Sequence, residues 1–313
     1  MALPPNPPPP LAVALKQQAM ALDADMVRSL RATDHLSPPL LHGIRVVTKR
    51  LRAWWQLARP LVRRKAVRRA QGRLGTVAQL LAPARDVQVM HQTLSRLSPR
   101  AEARPVRAAL AAVDRQLLAA VATEVSAKDF PRLRARLIRA FKSDAAAWRR
   151  LPVAAQPDDP LVAELARTYR RARRRARLAA RRGTVRAWHT WRMAVKAHLH
   201  QMDFFCAGRR GPWARRLRDL AALGRLMGRG QDLAILDGWV DWRVSTGALD
   251  RKDARRVQAL LRRRQEALRL RGARLGRRLF ADKPGLFAAH LAAGGGAGTG
   301  TKTPPARRGA KRG

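Results

Sequence analysis

HGIRVVTKRLR at residues 42–52 and HTWRMAVKAHLH at residues 189–200 both place His, then Arg three residues on, then Lys four further. The two copies are offset by 147 positions. On a helix turning 100° per residue, with His42 at zero, Arg45 falls at about −60°, Lys49 at about −20° and Arg52 at about −80°. His189, Arg192 and Lys196 take the same angles, and His200 lands at about +20°, where it extends the row. Each copy is therefore one stripe of cations on a helix, while Ile44, Val47, Leu51 and Trp55 point elsewhere and supply a core-facing side. Cations stacked on one face repel by a few tenths of a kcal/mol per close pair, and a bound polyanion would offset that cost.

The whole chain is built on the same imbalance. It holds 66 Lys plus Arg against 21 Asp plus Glu, a formal net charge of +45 and a pI near 12.0, which points to a polyanionic partner. Most of the cations are arginine, whose planar fork of donors grips phosphate oxygens in pairs. With 313 residues, 46% of them hydrophobic, the chain can bury one large core or two ordinary ones. Its single cysteine, Cys206, excludes an intramolecular disulfide and reads as a small buried residue. The start MALPPNPPPP lacks the pattern of a signal peptide, and no apolar stretch approaches the length of a membrane span. A cytoplasmic protein with no membrane partner is expected.

Outward from the stripes, the text is rich in Ala, Leu and Arg and poor in β-branched runs, so the fold class expected is all-α. Pro and Gly breaks cut it into about ten helices. Beyond the stripes the halves keep repeating. His42 is followed by Asp86 in LLAPARDVQVM, and His189 by Asp232 in RLMGRGQDLAIL, each after a basic helix in which Arg69 matches Arg215. A repeat of this length suits a duplicated bundle rather than a solenoid. The division expected is a disordered segment 1–10, a first helical bundle 11–155, a linker 156–160, a second bundle 161–280 and a flexible basic tail 281–313.

HGIRVVTKRLR resembles the signature HxxRVxxRRLR of the CHAD family, the conserved histidine α-helical domain, and LLAPARDV resembles its second block, LLGxxRDxxV. Both blocks recur in the second half, and the resemblance covers roughly residues 11 to 280. It implies two helical bundles related by a pseudo-twofold, and binding of inorganic polyphosphate in a basic groove or pore between them. It also implies an association with polyphosphate granules. The positions that match are His42, Arg45, Lys49, Arg50 and Arg52, then His189, Arg192 and Lys196, with Arg69, Arg215 and His200 as further candidates. The second copy departs at Ala197 and Leu199, where the pattern has basic residues, and Gln231 stands where the first copy has Arg85; His198 or His200 could substitute.

Other features read as structural. Asp86 and Asp232 each follow an expected loop and suit an N-cap or a buried partner for one of the motif arginines. HLH at 198–200 points its histidines to different sides of a helix, so no metal or other cofactor is expected. The arginines of RRARRRARLAARR, 170–182, lie all round their helix and form a general electrostatic field. Trp54, Trp55, Trp188 and Trp191 read as packing anchors. Catalysis on phosphoanhydrides would need carboxylates holding metal, or a phosphate loop, and the acids here are few and scattered, so no catalytic residue is expected. The competing reading is a basic helical protein bound to nucleic acid, although no zinc-finger, RNA-recognition or helix-turn-helix signature occurs.

Overall fold

The computed structural model describes residues 10–97, 102–121, 129–152, 159–207 and 211–295. The proline-rich start, most of the expected linker and the chain beyond 295 lie outside the described residues. All regular structure described is helical: α1 (Leu11–Arg31), α2 (Pro38–Leu57), α3 (Arg64–Leu80), α4 (Ala82–Ser95), α5 (Arg104–Val121), α6 (Phe130–Arg149), α7 (Asp159–Arg182), α8 (Val185–Phe205), α9 (Pro212–Ser245), α10 (Arg251–Leu279) and α11 (Pro284–Gly295), with a 3₁₀ turn at Arg59–Leu61. No described helix is long and apolar enough to cross a membrane.

The two stripe helices begin alike. Ser37 caps α2 by accepting from the Leu40 amide, and Thr184 caps α8 by accepting from the Ala187 amide, each five residues before its motif histidine. Packing also recurs: α1 lies on α2 and α6 as α7 lies on α8 and α11, α2 lies on α3 as α8 lies on α9, and α4 lies on α5 as α9 lies on α10.

The halves differ where their second blocks begin. Pro83, which has no backbone amide to continue a helix through from α3, is the second residue of α4, next to the break at Leu81. The matching position holds Arg229, and α9 runs unbroken for 34 residues. Asp232 therefore lies mid-helix, and Asp86 is the fifth residue of α4, so neither is the N-cap expected of it.

Apolar faces meet in two cores. The larger takes residues from α1–α3, α6–α8 and α11, the first half of α9 and the end of α10. The smaller takes Met90 and Leu94 of α4, Val113 and Leu117 of α5, Leu236 and Val240 of α9, and Val257 and Leu261 of α10. Each core mixes helices from both sides of residues 156–160, because the α4–α5 hairpin packs on α9 and α10. Within the larger core α1, α2, α3 and α6 still pack on one another, as do α7, α8, α9 and α11. The tail expected from 281 onward also begins differently: α11 buries Phe287 and Leu291, and Phe287 stacks on Tyr169 at 4.0 Å.

Asp144 and Asp23 are fully enclosed by the larger core. Asp144 accepts from Trp55 Nε1 at 3.0 Å, from Trp148 Nε1 at 3.1 Å and from Arg73 Nη2 at 3.1 Å. Asp23 is fully buried, and among the described residues neither of its oxygens has a hydrogen-bond partner. Burial, with Asp144 nearby, pushes its pKa up to about 9.

Candidate polyanion-binding site

The stripe helices α2 and α8 touch directly, and they do so antiparallel. Trp54 Nε1 donates to the His200 carbonyl at 3.0 Å, Gln201 Nε2 donates to the Ala53 carbonyl at 2.9 Å, and Arg50 Nη2 reaches Asp203 Oδ2 at 2.7 Å. The first two bonds are images of one another, since the 147-residue offset carries Trp54 to Gln201 and Ala53 to His200.

On α2, His42 and Lys49 are exposed, while Arg45 and Arg52 are half-buried. Arg52 is tied to α3, with Nε donating to Gln71 Oε1 at 3.0 Å while Gln71 Nε2 donates to the Arg52 carbonyl at 2.7 Å. Arg50 lies off the stripe, paired with Asp203 across the α2–α8 contact. On α8, His189 is exposed and its Nδ1 donates to Gln231 Oε1 at 2.8 Å. The residue that replaces Arg85 in the second copy thus fixes the ring of its histidine. His189, Arg192 and Gln231 line a narrow cleft between α8, α9 and α10 together with Arg269.

Lys196 is half-buried. Burial, Arg192 and Arg225 lower its pKa, and Asp232 opposes them. Asp232, half-buried, is thus the carboxylate whose charge acts on Lys196, a lysine and not one of the motif arginines. Gly224 on α9 leaves the space Lys196 occupies, since a Cβ there would lie 3.2 Å from Nζ and 3.3 Å from Cε. Gly224→Ala should therefore gain about 0.5–1 kcal/mol of helix stability while displacing the ammonium. We expect a raised urea midpoint and polyanion affinity lowered about threefold; unchanged affinity would show that Lys196 has no set position.

His200 stands where the two stripes converge. Burial, Lys196, Arg50 and Lys49 push its pKa down to about 3, so it enters the row as a neutral ring. His198 does not substitute for a missing cation: it is fully buried, shares a hydrogen bond with Thr168 Oγ1 at 2.9 Å, and packs against Phe280 and Phe287. Arg69 and Arg215 are exposed on α3 and α9, and Arg215 lines a separate depression with Arg216, Asp219 and Arg278.

The second blocks occupy the waist between the two cores. There Asp232 faces a cavity of about 550 Å³ between α4, α9 and α10, lined by Arg96, Arg229, Arg264 and Arg271. These arginines escaped the reading of the sequence because they come from three helices. The one local signal was Arg264 and Arg271, seven residues apart and so on one face of α10. Among the described residues no group of three His, Cys, Asp or Glu side chains is placed to hold a metal ion.

The family model described as the CHAD domain matches residues 21–241, a span that includes both stripes and both motif aspartates. A comparison with curated proteins finds no match.

Proposed function

The chain belongs to the CHAD family, and from that premise we propose that it binds inorganic polyphosphate along the two stripes and the basic waist between the cores. The observation that carries the reading is the convergence of the stripes: α2 and α8 meet through the Trp54–His200 and Gln201–Ala53 bonds, with Lys49 of α2 and Lys196 of α8 both acting on His200. Arg45, Lys49, Arg52, Arg192 and Lys196 then donate charge-assisted hydrogen bonds to successive phosphoryl oxygens. Bound phosphate also relieves the repulsion that lowers the Lys196 pKa. We read the halves as related by a pseudo-twofold passing through the α2–α8 contact; the exchanged Trp54 and Gln201 bonds and the matched caps support it. The protein acts by binding, without turnover, and carries itself to polyphosphate granules in the cytoplasm.

Attraction that releases counterions falls steeply with salt whatever the polyanion, so affinity alone does not establish the site. The test is a competition titration of labelled long-chain polyphosphate against duplex DNA and RNA at near-physiological salt. Polyphosphate should win by at least tenfold per charge; equal competition by all three would make the stripes part of a general basic surface.

A further inference from the structure

A groove of about 680 Å³ runs between α7, α8 and the C-terminal half of α10, and Trp188 lines both it and the His189 cleft. Arg173, Arg177 and Arg181 line it from α7 and Arg277 from α10, and no carboxylate is among its lining side chains. The α7 arginines are spaced four apart and stack on one face of the helix. Arg173 is anchored, its Nε donating to the Phe280 carbonyl at 2.9 Å and its Nη2 to that of Ala281 at 3.3 Å. Its neighbours Arg177, Arg181 and Arg277 are exposed.

The floor is indole. Trp191 is buried and Trp188, tilted against it with ring centroids 5.0 Å apart, is half-buried. Gly276 lets Trp191 lie against the α10 backbone, since a Cβ there would come within 2.6 Å of the ring. The groove is also no half of the repeat. The 147-residue offset carries Arg173, Arg177 and Arg181 to Met26, Leu30 and Asp34, and Trp188 to Leu41. Whatever it binds is not what the two stripes bind by symmetry.

An indole floor offers nothing to a chain of bare phosphates. A nucleotide unit uses both parts of the groove, its base lying on the aromatic surface and its phosphates meeting guanidinium forks. We propose that this groove is a second, separate site that takes nucleotide units, free or within a single strand, with Trp188 as the base platform and Arg177, Arg181 and Arg277 as phosphate donors. The proposal does not depend on the polyphosphate reading.

The test measures anisotropy of a short labelled oligoadenylate and of an abasic sugar-phosphate strand of equal length at near-physiological salt. The proteins compared are the full chain, a groove variant (Arg177→Gln, Arg181→Gln, Arg277→Gln) and a charge-matched control (Arg132→Gln, Arg136→Gln, Arg139→Gln) on α6. The full chain should prefer the base-bearing strand about tenfold, and only the groove variant should lose that preference while keeping its polyphosphate affinity within twofold. Displacement of the oligoadenylate by adenosine triphosphate would assign the groove to free nucleotides, and retained strand binding without displacement would assign it to single strands. No preference for bases in the full chain, or equal losses in the two variants, would overturn the proposal.

Discussion

Replacing His42, Arg45, Lys49, Arg192 and Lys196 together by neutral residues should weaken long-chain polyphosphate binding by about a thousandfold at near-physiological salt. A hydrogen bond to a charged group contributes about 1.5–3 kcal/mol, and exposure of His42 and Lys49 pulls the average toward 1. Four cations at about 1 kcal/mol each come to roughly three decades in affinity. The substitution removes four formal charges from a net +45, so duplex DNA, held by the general field, should weaken far less. The halves separate in two sub-variants. Arg192 and Lys196, half-buried beside Asp232 and Gln231, should account for more of the loss than Arg45 and Lys49. A change below threefold in the full variant, with folding intact by circular dichroism, would sink the stripe as a site.

Asp23→Asn should raise stability at pH 8 by about 2 kcal/mol or more, and by almost nothing near pH 4. The folded-state pKa of Asp23 is raised from 3.8 to about 9. Between those values the folded protein holds a proton that the unfolded chain releases. Stability is then fully present below pH 4 and falls as pH rises toward 9, by at most about 1.4 kcal/mol per unit. Asp144, whose pKa burial also raises against the pull of Trp55 and Arg73, adds a slope of the same sign that survives in the variant. Of the two acids, Asp144 receives three donors and Asp23 none, so Asp23 is the one that stays protonated at neutral pH. Urea unfolding at pH 5, 6.5 and 8 measures the effect. Parallel losses of stability with pH in wild type and variant would remove Asp23 from the account.

The residues of the stripe were legible because they depend only on the 3.6-residue turn, which any helix obeys wherever it packs. The same holds for the caps at Ser37 and Thr184 and for the helical character of the chain, set within a few residues of each position. His198 shows the limit of that reading. It stands two residues from His200 and is as basic, yet α7 and α11 close over it, and only their approach decides that it is a neutral core group.

By itself, then, the sequence determined an all-helical chain with a repeated His, Arg and Lys stripe, a cationic field and the family to which they belong. Tertiary structure alone decided which helices share a core. The α4–α5 hairpin lies on α9 and α10, and the segment beyond 281 folds back as α11 against α7. It also gathered Arg96, Arg229, Arg264 and Arg271 around one cavity and set Asp232 against Lys196 rather than at a helix start. The physical reason is range. Helix formation and facing are local and periodic, whereas the contacts between these helices join residues more than thirty positions apart through apolar burial, which has no direction.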